Sequence, residues 1–271
     1  MADTGGTRRE RRAAARAERQ AAERAAAAKA RQRTRLFQLG GALALAVAIV
    51  VVILVATGGG DDNTPTKRAG ESVAGANDTA ALLAGIPQRG AELGDPRAPV
   101  TLIEFGDLQC PYCKDASDQI LPQVIDNYVR DGRVKIIFRD VAFLGTDSTR
   151  AAQMAGAAAL QNKMWDYIHL FYTNQGEENT GYVTDEFLRE IGSGVRGLDV
   201  ERAFADRANG DVQRMITDAQ NEWQGYGFSG TPSFVVGPTG GTLEPVNTDS
   251  GLNYETLQGP IDRALAAAQD R

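Results

Sequence analysis

The hydrophobic positions of this chain follow two spacings. Short runs rich in β-branched and aromatic residues are typical of buried strands, and they occur at 100–105, 134–138 and 230–236. Gly240 and Gly241 mark a hairpin turn into a last strand at 242–246. Elsewhere, apolar residues recur every three or four positions, which predicts amphipathic helices. The pattern as a whole indicates an α/β fold.

Helices fill most of the chain between and after these strands. A helix is expected at 114–129, with a kink at Pro122, so that the first two strands form a parallel pair. A closing helix is expected at 254–268. The other predicted helices lie between the second and third strands, at 148–161, 164–172, 185–191 (with Thr184 as N-cap), 200–207 (with Asp199 as N-cap) and 211–223. They predict a helical insertion at about 145–225.

The longest apolar segment precedes this domain. Residues 36–56 form an uncharged run of 21 residues, and a helix of that length spans about 30 Å, the thickness of a bilayer core. A cleaved signal peptide has a shorter apolar region, of about 7–15 residues. We therefore expect one transmembrane helix that acts as an uncleaved signal anchor in the lipid bilayer. A signal cleaved near Ala56 and a buried core helix are the alternatives.

Charge is divided unevenly on the two sides of this segment. Residues 1–35 carry 11 Lys or Arg against 4 Asp or Glu, whereas the rest of the chain carries 18 against 31. Basic residues flank the cytoplasmic end of membrane helices, so residues 1–35 are expected to form a cytoplasmic tail. A specific contact of this tail with nucleic acid or protein is the alternative, and we expect no nucleic-acid partner.

The remaining boundaries follow from composition. Residues 57–79 are rich in Gly, Asp, Thr and Ser, which is typical of a flexible linker. The folded domain is then expected at 80–271. With the tail in the cytoplasm, this domain lies outside the cell membrane, where disulfides form and persist.

The candidate chemistry lies just after the first strand. Asp107 to Gln109 interrupts the apolar pattern, and Cys110, Pro111, Tyr112 and Cys113 follow. Proline suits the first turn of a helix, so Cys110 is expected at a helix N-terminus, where backbone N–H groups and the helix dipole stabilise a thiolate. Such positions lower the pKa of a cysteine from about 8.5 to roughly 3.5–7.5. Cys110 is therefore the expected exposed nucleophile and Cys113 the resolving thiol.

Two other interpretations of this cysteine pair remain open. The pair could be a structural disulfide, although an exported protein that relies on disulfides for stability usually carries more of them. It could also be half of a zinc site, but zinc takes four ligands, and the chain offers only these two cysteines and His169. We expect a redox pair, with no metal and no bound cofactor. Tyr112, between the cysteines, is expected to be exposed and to contact a client together with Pro111.

The same residues resemble a known family. FGDLQCPYC after a hydrophobic strand resembles the active site of DsbA-like thiol–disulfide oxidoreductases of the thioredoxin superfamily. GTPSFVV, at 230–236, resembles the cis-proline loop of that superfamily, and MWDYIHLFY, at 164–172, resembles a helix of the DsbA-like insertion. The resemblance covers about 93–268. It implies a thioredoxin-like fold with an inserted helical subdomain.

The resemblance also assigns roles to residues beyond the cysteines. The Thr231–Pro232 bond is expected to be cis and to face the cysteine pair, with the Thr231 backbone pairing with a substrate peptide. An ordinary trans proline at a strand edge is the alternative. Glu104 stands six residues before Cys110, where this family carries a buried acid that accepts the Cys113 proton. Alternation along the strand does not determine which face Glu104 takes, so a partly exposed, ion-paired residue is the alternative.

Two aromatic residues of the insertion are expected to have structural roles, and the residues between the cysteines depart from the pattern of the strongest oxidants. Packing roles are expected for His169 and Trp165. The Pro111–Tyr112 pair lacks the histidine found between the cysteines of the strongest oxidants, and it is also seen in glutaredoxins. The direction of the redox reaction therefore stays open. Glutaredoxins lack both the anchor and the helical insertion.

These patterns lead to one functional hypothesis. We expect an extracytoplasmic, membrane-anchored enzyme that introduces disulfides into exported client proteins through Cys110 and Cys113. The resemblance implies a quinone-linked membrane partner of DsbB or vitamin K epoxide reductase type that reoxidises the pair. An isomerase or reductase that uses the same pair is one alternative. An anchored peptide-binding chaperone with a structural disulfide is the other.

Overall fold

The computed structural model describes residues 73–249 and 251–269. The predicted cytoplasmic tail at 1–35, the predicted transmembrane helix at 36–56 and most of the predicted linker lie outside the described residues. Within the described ranges, no helix has the length and apolar character needed to cross a membrane.

A six-stranded sheet forms the centre of the domain. Its strands are β1 (Gln88–Arg89), β2 (Glu92–Leu93), β3 (Val100–Gly106), β4 (Val134–Asp140), β5 (Ser233–Pro238) and β6 (Glu244–Pro245). They lie in the order β1-β2-β4-β3-β5-β6. The β3–β4 pair is parallel, as predicted, and the other neighbouring strands are antiparallel. The short β1–β2 hairpin was not expected from the sequence, and β6 is shorter than the predicted strand at 242–246.

Strand β3 lies at the centre of this sheet and is buried along its whole length. Val100 and Leu102 contribute to the larger hydrophobic core, whereas Ile103 and Phe105 contribute to a smaller core on the opposite face. Because side chains alternate along a strand, Glu104 shares the face of Val100 and Leu102. The regular strand therefore shows which face Glu104 takes, a point that the sequence pattern left open.

The helix that follows β3 runs over residues 111–129, and we call it the cysteine helix. It consists of four consecutive segments: α2 (Pro111–Asp115), a π-helical turn (Ala116–Ile120), α3 (Leu121–Val124) and a second π-helical turn (Ile125–Val129). Pro122 has no N–H for the helical ladder, and the first wide turn ends two residues before it. A π turn therefore lies just before Pro122, the position where the sequence predicted a kink. The predicted apolar face is buried: Ile120, Leu121, Val124, Ile125, Tyr128 and Val129.

The helical insertion lies between β4 and β5, as predicted. Its helices are α4 (Thr146–Ala159), α5 (Met164–Thr173), α6 (Asp185–Ser193), α7 (Val200–Asp206) and α8 (Gly210–Gly225). The side chains of Thr184 and Asp199 accept N-cap hydrogen bonds, as expected. The cap of α8 is Asn209, which precedes the predicted start at Asp211. The closing helix is α9 (Tyr254–Gln269).

The folded region begins before residue 80, the boundary predicted from composition. Helix α1 (Ala76–Leu82) lies partly within the predicted linker, and Val73 is buried in the main core. The Asn174 side chain on the insertion donates a hydrogen bond to the Ala74 carbonyl. The Arg130 guanidinium, beside the end of the cysteine helix, donates to the Leu82 and Ala84 carbonyls. Composition missed the start of this segment because it follows directly on a stretch rich in Gly, Asp, Thr and Ser.

Candidate active site

The pairing of two strands assembles the site. Strands β3 and β5 are antiparallel, and Phe105 near the end of β3 pairs with Ser233 at the start of β5. The loop that carries Thr231 and Pro232 therefore lies beside the segment that connects β3 to the cysteine helix. The Thr231–Pro232 peptide bond is cis, as predicted. The Thr231 carbonyl oxygen lies 3.3 Å from Cys110 Sγ, within reach of a hydrogen bond from the thiol.

Cys110 is the N-cap of α2, and Pro111 occupies the first helical turn, as the sequence predicted. The expectation of an exposed nucleophile needs correction, since only 5% of Cys110 is exposed. The Thr231 loop covers much of its side chain. Cys113, one turn further, has no exposed surface. Both are free thiols, so the structure describes the reduced pair, in which Cys110 is the more accessible sulfur.

The surroundings of Cys110 favour its thiolate. A hydrogen bond from Cys113 is the largest cause that lowers the pKa of Cys110 to about 6, against the opposing effect of burial. Thr231 and the backbone N–H groups of Tyr112 and Cys113 also lower this pKa.

Cys113 has the opposite environment. Complete burial, its hydrogen bond to Cys110 and the negative charges of Cys110 and Glu104 raise the pKa of Cys113 well above its ordinary value. At neutral pH the reduced pair thus carries one proton, held on Cys113, and one negative charge, held on Cys110. This arrangement distinguishes a sulfur that can attack from a sulfur that keeps its proton.

Glu104 is buried, which agrees with the family resemblance and not with the exposed alternative. Only 1% of the residue is exposed, and neither carboxyl oxygen has a hydrogen-bond partner among residues 73–249 and 251–269. Burial raises the pKa of Glu104 to about 8, and the charge of Cys110 adds to the effect. The carboxyl group can therefore both donate and accept a proton near neutral pH.

Asp107 organises the connection between β3 and the cysteine helix, a role that the sequence analysis missed. Its carboxylate accepts hydrogen bonds from the backbone N–H groups of Gln109, Phe143 and Leu144 and from the Ser148 hydroxyl, at 2.6–3.0 Å. The Asp107 carbonyl accepts from the Cys110 N–H. The buried carboxylate thereby ties the cysteine loop to the loop between β4 and α4. Only the unusual position of an acid directly after a buried strand indicates such a role.

Two glutamine side chains join the segment before Cys110 to the insertion. The buried Gln109 side chain donates to the Ser148 hydroxyl and accepts from the Asn179 N–H, each at 2.9 Å. Gln175 donates to the Leu108 carbonyl at 2.8 Å and to the Cys110 carbonyl at 3.1 Å. These contacts join residues about 40–70 positions apart, so periodicity along the sequence could not reveal them.

An aromatic surface surrounds the site. Tyr112 is 71% exposed, and Pro111 is exposed beside it, as expected for residues between the two cysteines. Phe143, 42% exposed, stacks on Trp223 with ring centres 5.4 Å apart. The Trp223 indole donates to the carbonyl of Gly230, next to Thr231. Trp165, in contrast, is buried and donates to the Ala91 carbonyl, which agrees with its predicted packing role.

Comparison with known proteins identifies the family. A family described as thioredoxin matches residues 88–262. The probable disulfide bond formation protein D of Bacillus cereus is 27% identical over 176 residues, which cover 64% of this chain and 77% of that protein. A thioredoxin-like oxidoreductase from Silicibacter pomeroyi is 30% identical, with a TM-score of 0.52 over 68% of this chain and 96% of that one.

A further solved structure supports the fold. Oxidised BdbD from Bacillus subtilis superposes with a TM-score of 0.58 at 22% identity and covers 67% of this chain and 97% of its own. The family match spans the sheet, the cysteine helix and the insertion, and these carry the thiol pair whose geometry is described above. The chain therefore belongs to the thioredoxin family, and it is a thiol–disulfide oxidoreductase.

Proposed function

We propose that this enzyme oxidises client thiols, with Cys110 as the sulfur that exchanges with the client and Cys113 as the resolving sulfur. One observation carries the proposal: two cysteines one helical turn apart have opposite environments. The pKa of Cys110 is lowered to about 6, whereas the pKa of the fully buried Cys113 is raised. A structural disulfide has no need of that asymmetry.

The proposed reaction is a sequence of two exchanges. A client thiolate attacks Cys110 Sγ of the oxidised pair, the Cys110–Cys113 bond breaks, and Cys113 leaves as a thiolate that takes up a proton. A second client thiolate then attacks the client sulfur of this mixed disulfide and releases Cys110 as a thiolate. Two electrons pass from the client to the enzyme, and the client gains one disulfide.

Glu104 is the proposed proton donor to Cys113 in this reaction and the proton acceptor in the reverse step. Its carboxyl lies in the same core as Cys113, is buried, and has a pKa raised to about 8 by burial. A group with a pKa near the working pH transfers protons most efficiently in both directions. In the part of the chain that the structure describes, neither oxygen has a partner that would hold the carboxyl in one protonation state.

The client is proposed to bind across the loop that faces Cys110. An extended peptide can pair with the backbone of Thr231, whose carbonyl lies 3.3 Å from Cys110 Sγ. Pro232 holds that loop beside the cysteines, and the exposed Pro111 and Tyr112 contact residues of the client next to its cysteine. A single strand pairing of this kind accepts many sequences, as an enzyme with varied clients requires.

The direction of the reaction is testable by a redox potential. Stabilising the Cys110 thiolate stabilises the reduced enzyme and makes its disulfide more oxidising. Since no histidine lies between the cysteines, we expect a potential between those of thioredoxin, about −270 mV, and DsbA, about −120 mV. The test is a titration of the full-length chain with glutathione buffers. A potential at or below that of thioredoxin would instead identify a reductase.

The roles of the two cysteines are tested by trapping. Cys113→Ser should accumulate mixed disulfides between Cys110 and clients, because the resolving sulfur is absent. Cys110→Ser should accumulate none, and trapping through Cys113 in that variant would show that the roles are reversed. The double Cys→Ser variant separates oxidation from the chaperone alternative, because a peptide-binding chaperone would keep its activity.

We also propose that the enzyme is anchored in the cell membrane with its catalytic domain outside. The proposal rests on the uncharged run at 36–56 and on the basic residues before it. The relatives named for disulfide bond formation support an extracytoplasmic site of action. Protease added to intact spheroplasts should digest the catalytic domain and spare the tail, and the reverse pattern would refute this topology.

Exported proteins with reduced cysteines are the proposed clients. After each client is oxidised, the reduced pair must pass two electrons to another acceptor. We propose a quinone-linked membrane reoxidase of DsbB or vitamin K epoxide reductase type, for which an anchored enzyme is suitably placed. Co-purification of the anchored Cys113→Ser variant with a disulfide-linked membrane protein would identify this partner.

A further inference from the structure

A small cavity lies behind the cysteine pair, among β3, the cysteine helix, α5 and the end of α1. The space open to the centre of a water-sized sphere is about 10 Å³, enough for one water molecule. Four polar side chains line it, those of Glu104, Ser117, His169 and Tyr172, and the other lining residues are apolar. Neither cysteine borders the cavity, whereas Glu104 both lines it and acts electrostatically on Cys113.

The Glu104 carboxyl has no alternative partner. The residue is 1% exposed, and both of its oxygens are buried without a hydrogen bond from any described residue. A buried carboxyl left unpartnered is costly, so such groups are normally bound by protein or by water. A water molecule in the cavity would supply the missing partner.

The other polar end of the cavity reaches towards the surface. Ser117 Oγ and His169 Nδ1 are 2.9 Å apart, a hydrogen-bond distance. Ser117 is buried, whereas His169 is partly exposed. A serine hydroxyl both donates and accepts, and imidazole can take up a proton at one nitrogen and release it at the other. Together the pair forms a short hydrogen-bonded path from the cavity to solvent.

We propose that a water molecule in this cavity connects Glu104 to the Ser117–His169 pair, and that His169 exchanges the Cys113 proton with solvent. The inference rests on the proposed role of Glu104, because that carboxyl is the group that the path would serve. A proton released by Cys113 passes to Glu104, then through the water and Ser117 to His169, and finally to bulk water. Protonation of Cys113 follows the same path in reverse.

The charges around His169 suit this role. Lys114 and Asp118 on the cysteine helix, Glu104 on β3 and the Tyr172 hydroxyl of α5 are the titratable groups near it, and α1 contributes the apolar Leu82 and Leu83. Burial is the main cause that lowers the pKa of His169, and Lys114 and Asp118 act on this pKa in opposite directions. The imidazole is therefore neutral at pH 7 and free to accept a proton.

The test follows the step in which Cys113 loses its proton. Mixing the reduced full-length chain with oxidised glutathione forms a Cys110–glutathione disulfide. Cys113 then attacks the Cys110 sulfur of this mixed disulfide, the Cys110–Cys113 disulfide forms, and glutathione leaves as a thiolate. The rate of that second step is measured against pH, in water and in deuterium oxide, for His169→Asn and His169→Gln. Asn can replace Nδ1 in the Ser117 hydrogen bond, but it cannot take up a proton.

We expect both variants to slow this step about tenfold at pH 7, less than the 10²–10⁴-fold effect of a direct general acid or base. The pH profile and the solvent isotope effect should change, whereas the redox potential should stay that of the parent. Ser117→Ala breaks the same path from the other helix and should reproduce the effect. Asp166→Asn is the matched control, because Asp166 lies on α5 and bonds Gln88 away from the cavity.

The outcomes separate this inference from the proposed function. Normal rates, pH profiles and isotope effects in His169→Asn and Ser117→Ala, with an altered profile in Glu104→Gln, would overturn the relay and leave the role of Glu104 intact. A His169→Asn variant that behaves as the parent while His169→Gln is slow would indicate a structural hydrogen bond and would also overturn it. An unchanged profile in Glu104→Gln would refute the proposed role of Glu104 itself.

Discussion

At the scale of single residues, identical side chains acquire opposite properties within one helical turn. Cys110 caps the helix and receives hydrogen bonds, whereas Cys113 is enclosed by apolar groups and faces two negative charges. The different surroundings of the two sulfurs therefore assign the proton of the reduced pair to Cys113. The asymmetry depends on contacts that substitutions can remove one at a time.

The first prediction concerns the Cys110 thiolate. Its ultraviolet absorbance should titrate with a midpoint near 6, because the Cys113 hydrogen bond is the largest cause of the lowered pKa. Cys113→Ala removes that donor and should raise the midpoint by about one unit or more, on the scale of a charge-assisted hydrogen bond. Cys113→Ser keeps a donor and should raise it less. Equal midpoints in the two variants would contradict this explanation.

The second prediction concerns Glu104 and stability. Its pKa is about 8 in the folded protein and near 4.5 when unfolded, so the unfolded chain releases this proton first as pH rises. Between pH 5 and pH 8 the carboxyl should therefore lower the free energy of unfolding of the reduced protein, by about 1 kcal/mol per pH unit. Glu104→Gln should abolish this contribution.

Urea unfolding of the reduced parent and Glu104→Gln at several pH values measures the effect. Cys110 titrates in both proteins, so the difference between them isolates the carboxyl group. Glu186→Gln, at an exposed position on α6, is the matched control and should leave the slope unchanged. A constant difference between parent and Glu104→Gln across this pH range would mean that Glu104 is charged in the fold.

At the scale of elements, one buried carboxylate holds together two loops that meet at the site. Asp107 accepts four hydrogen bonds, and beside it burial and the Asp107 charge raise the pKa of Asp140, so that Asp140 keeps its proton. The Asp107 carboxylate fixes the loop in front of Cys110.

The third prediction follows from this connection. Asp107→Ala leaves buried N–H and O–H donors without an acceptor, and we expect it to lower the free energy of unfolding by about 4 kcal/mol. Ser148→Ala removes one of the four bonds and should cost about 1–2 kcal/mol. Chemical unfolding measures both. Asp126→Ala removes an exposed carboxylate from the cysteine helix and should change stability by less than about 0.5 kcal/mol.

At the scale of the whole molecule, the segment before the family match is part of the described core. Val73, Leu83 and Ile86 are buried, and Gly194 on the insertion approaches Val73 so closely that a Cβ there would lie 2.8 Å from its side chain. The insertion and the cysteine helix both bind this segment through side-chain hydrogen bonds to its backbone.

The fourth prediction is a pair of truncations. A chain that begins at residue 88, where the family match starts, loses three buried apolar side chains and should be at least about 4 kcal/mol less stable. A chain that begins at residue 69 keeps them and is the matched control. Thermal unfolding of the two fragments makes the comparison. Equal stability would show that α1 only lies on the surface.

Most of this architecture could be predicted from local sequence. The runs around Leu102 and Ile136 and the helical spacing of the insertion gave the correct elements, because each depends on neighbours within one or two turns. The cysteine motif located the candidate site for the same reason. A family resemblance, rather than periodicity, indicated the cis bond at Thr231–Pro232.

What could not be predicted depends on contacts between distant segments. The family resemblance indicated that the Thr231 loop faces Cys110, but not how closely it approaches, so the predicted exposure of Cys110 was wrong. The hydrogen bonds of Asp107 and Gln109 reach residues about 35–70 positions away. The start of helix α1 was assigned to a linker because it continues a segment rich in Gly, Asp, Thr and Ser, whereas the contacts of this region with the insertion come from residues about 100 positions away.

The contact between Cys110 and Thr231 can form only after both residues have been synthesised. The two residues are 121 positions apart, and ribosomes add about 5–20 residues per second, so on the order of ten seconds separate their synthesis. During that interval the Thr231 loop and β5 do not exist, so Cys110 lacks one of the contacts that lower its pKa. The surroundings of Cys110 are therefore complete only once translation has supplied this late loop.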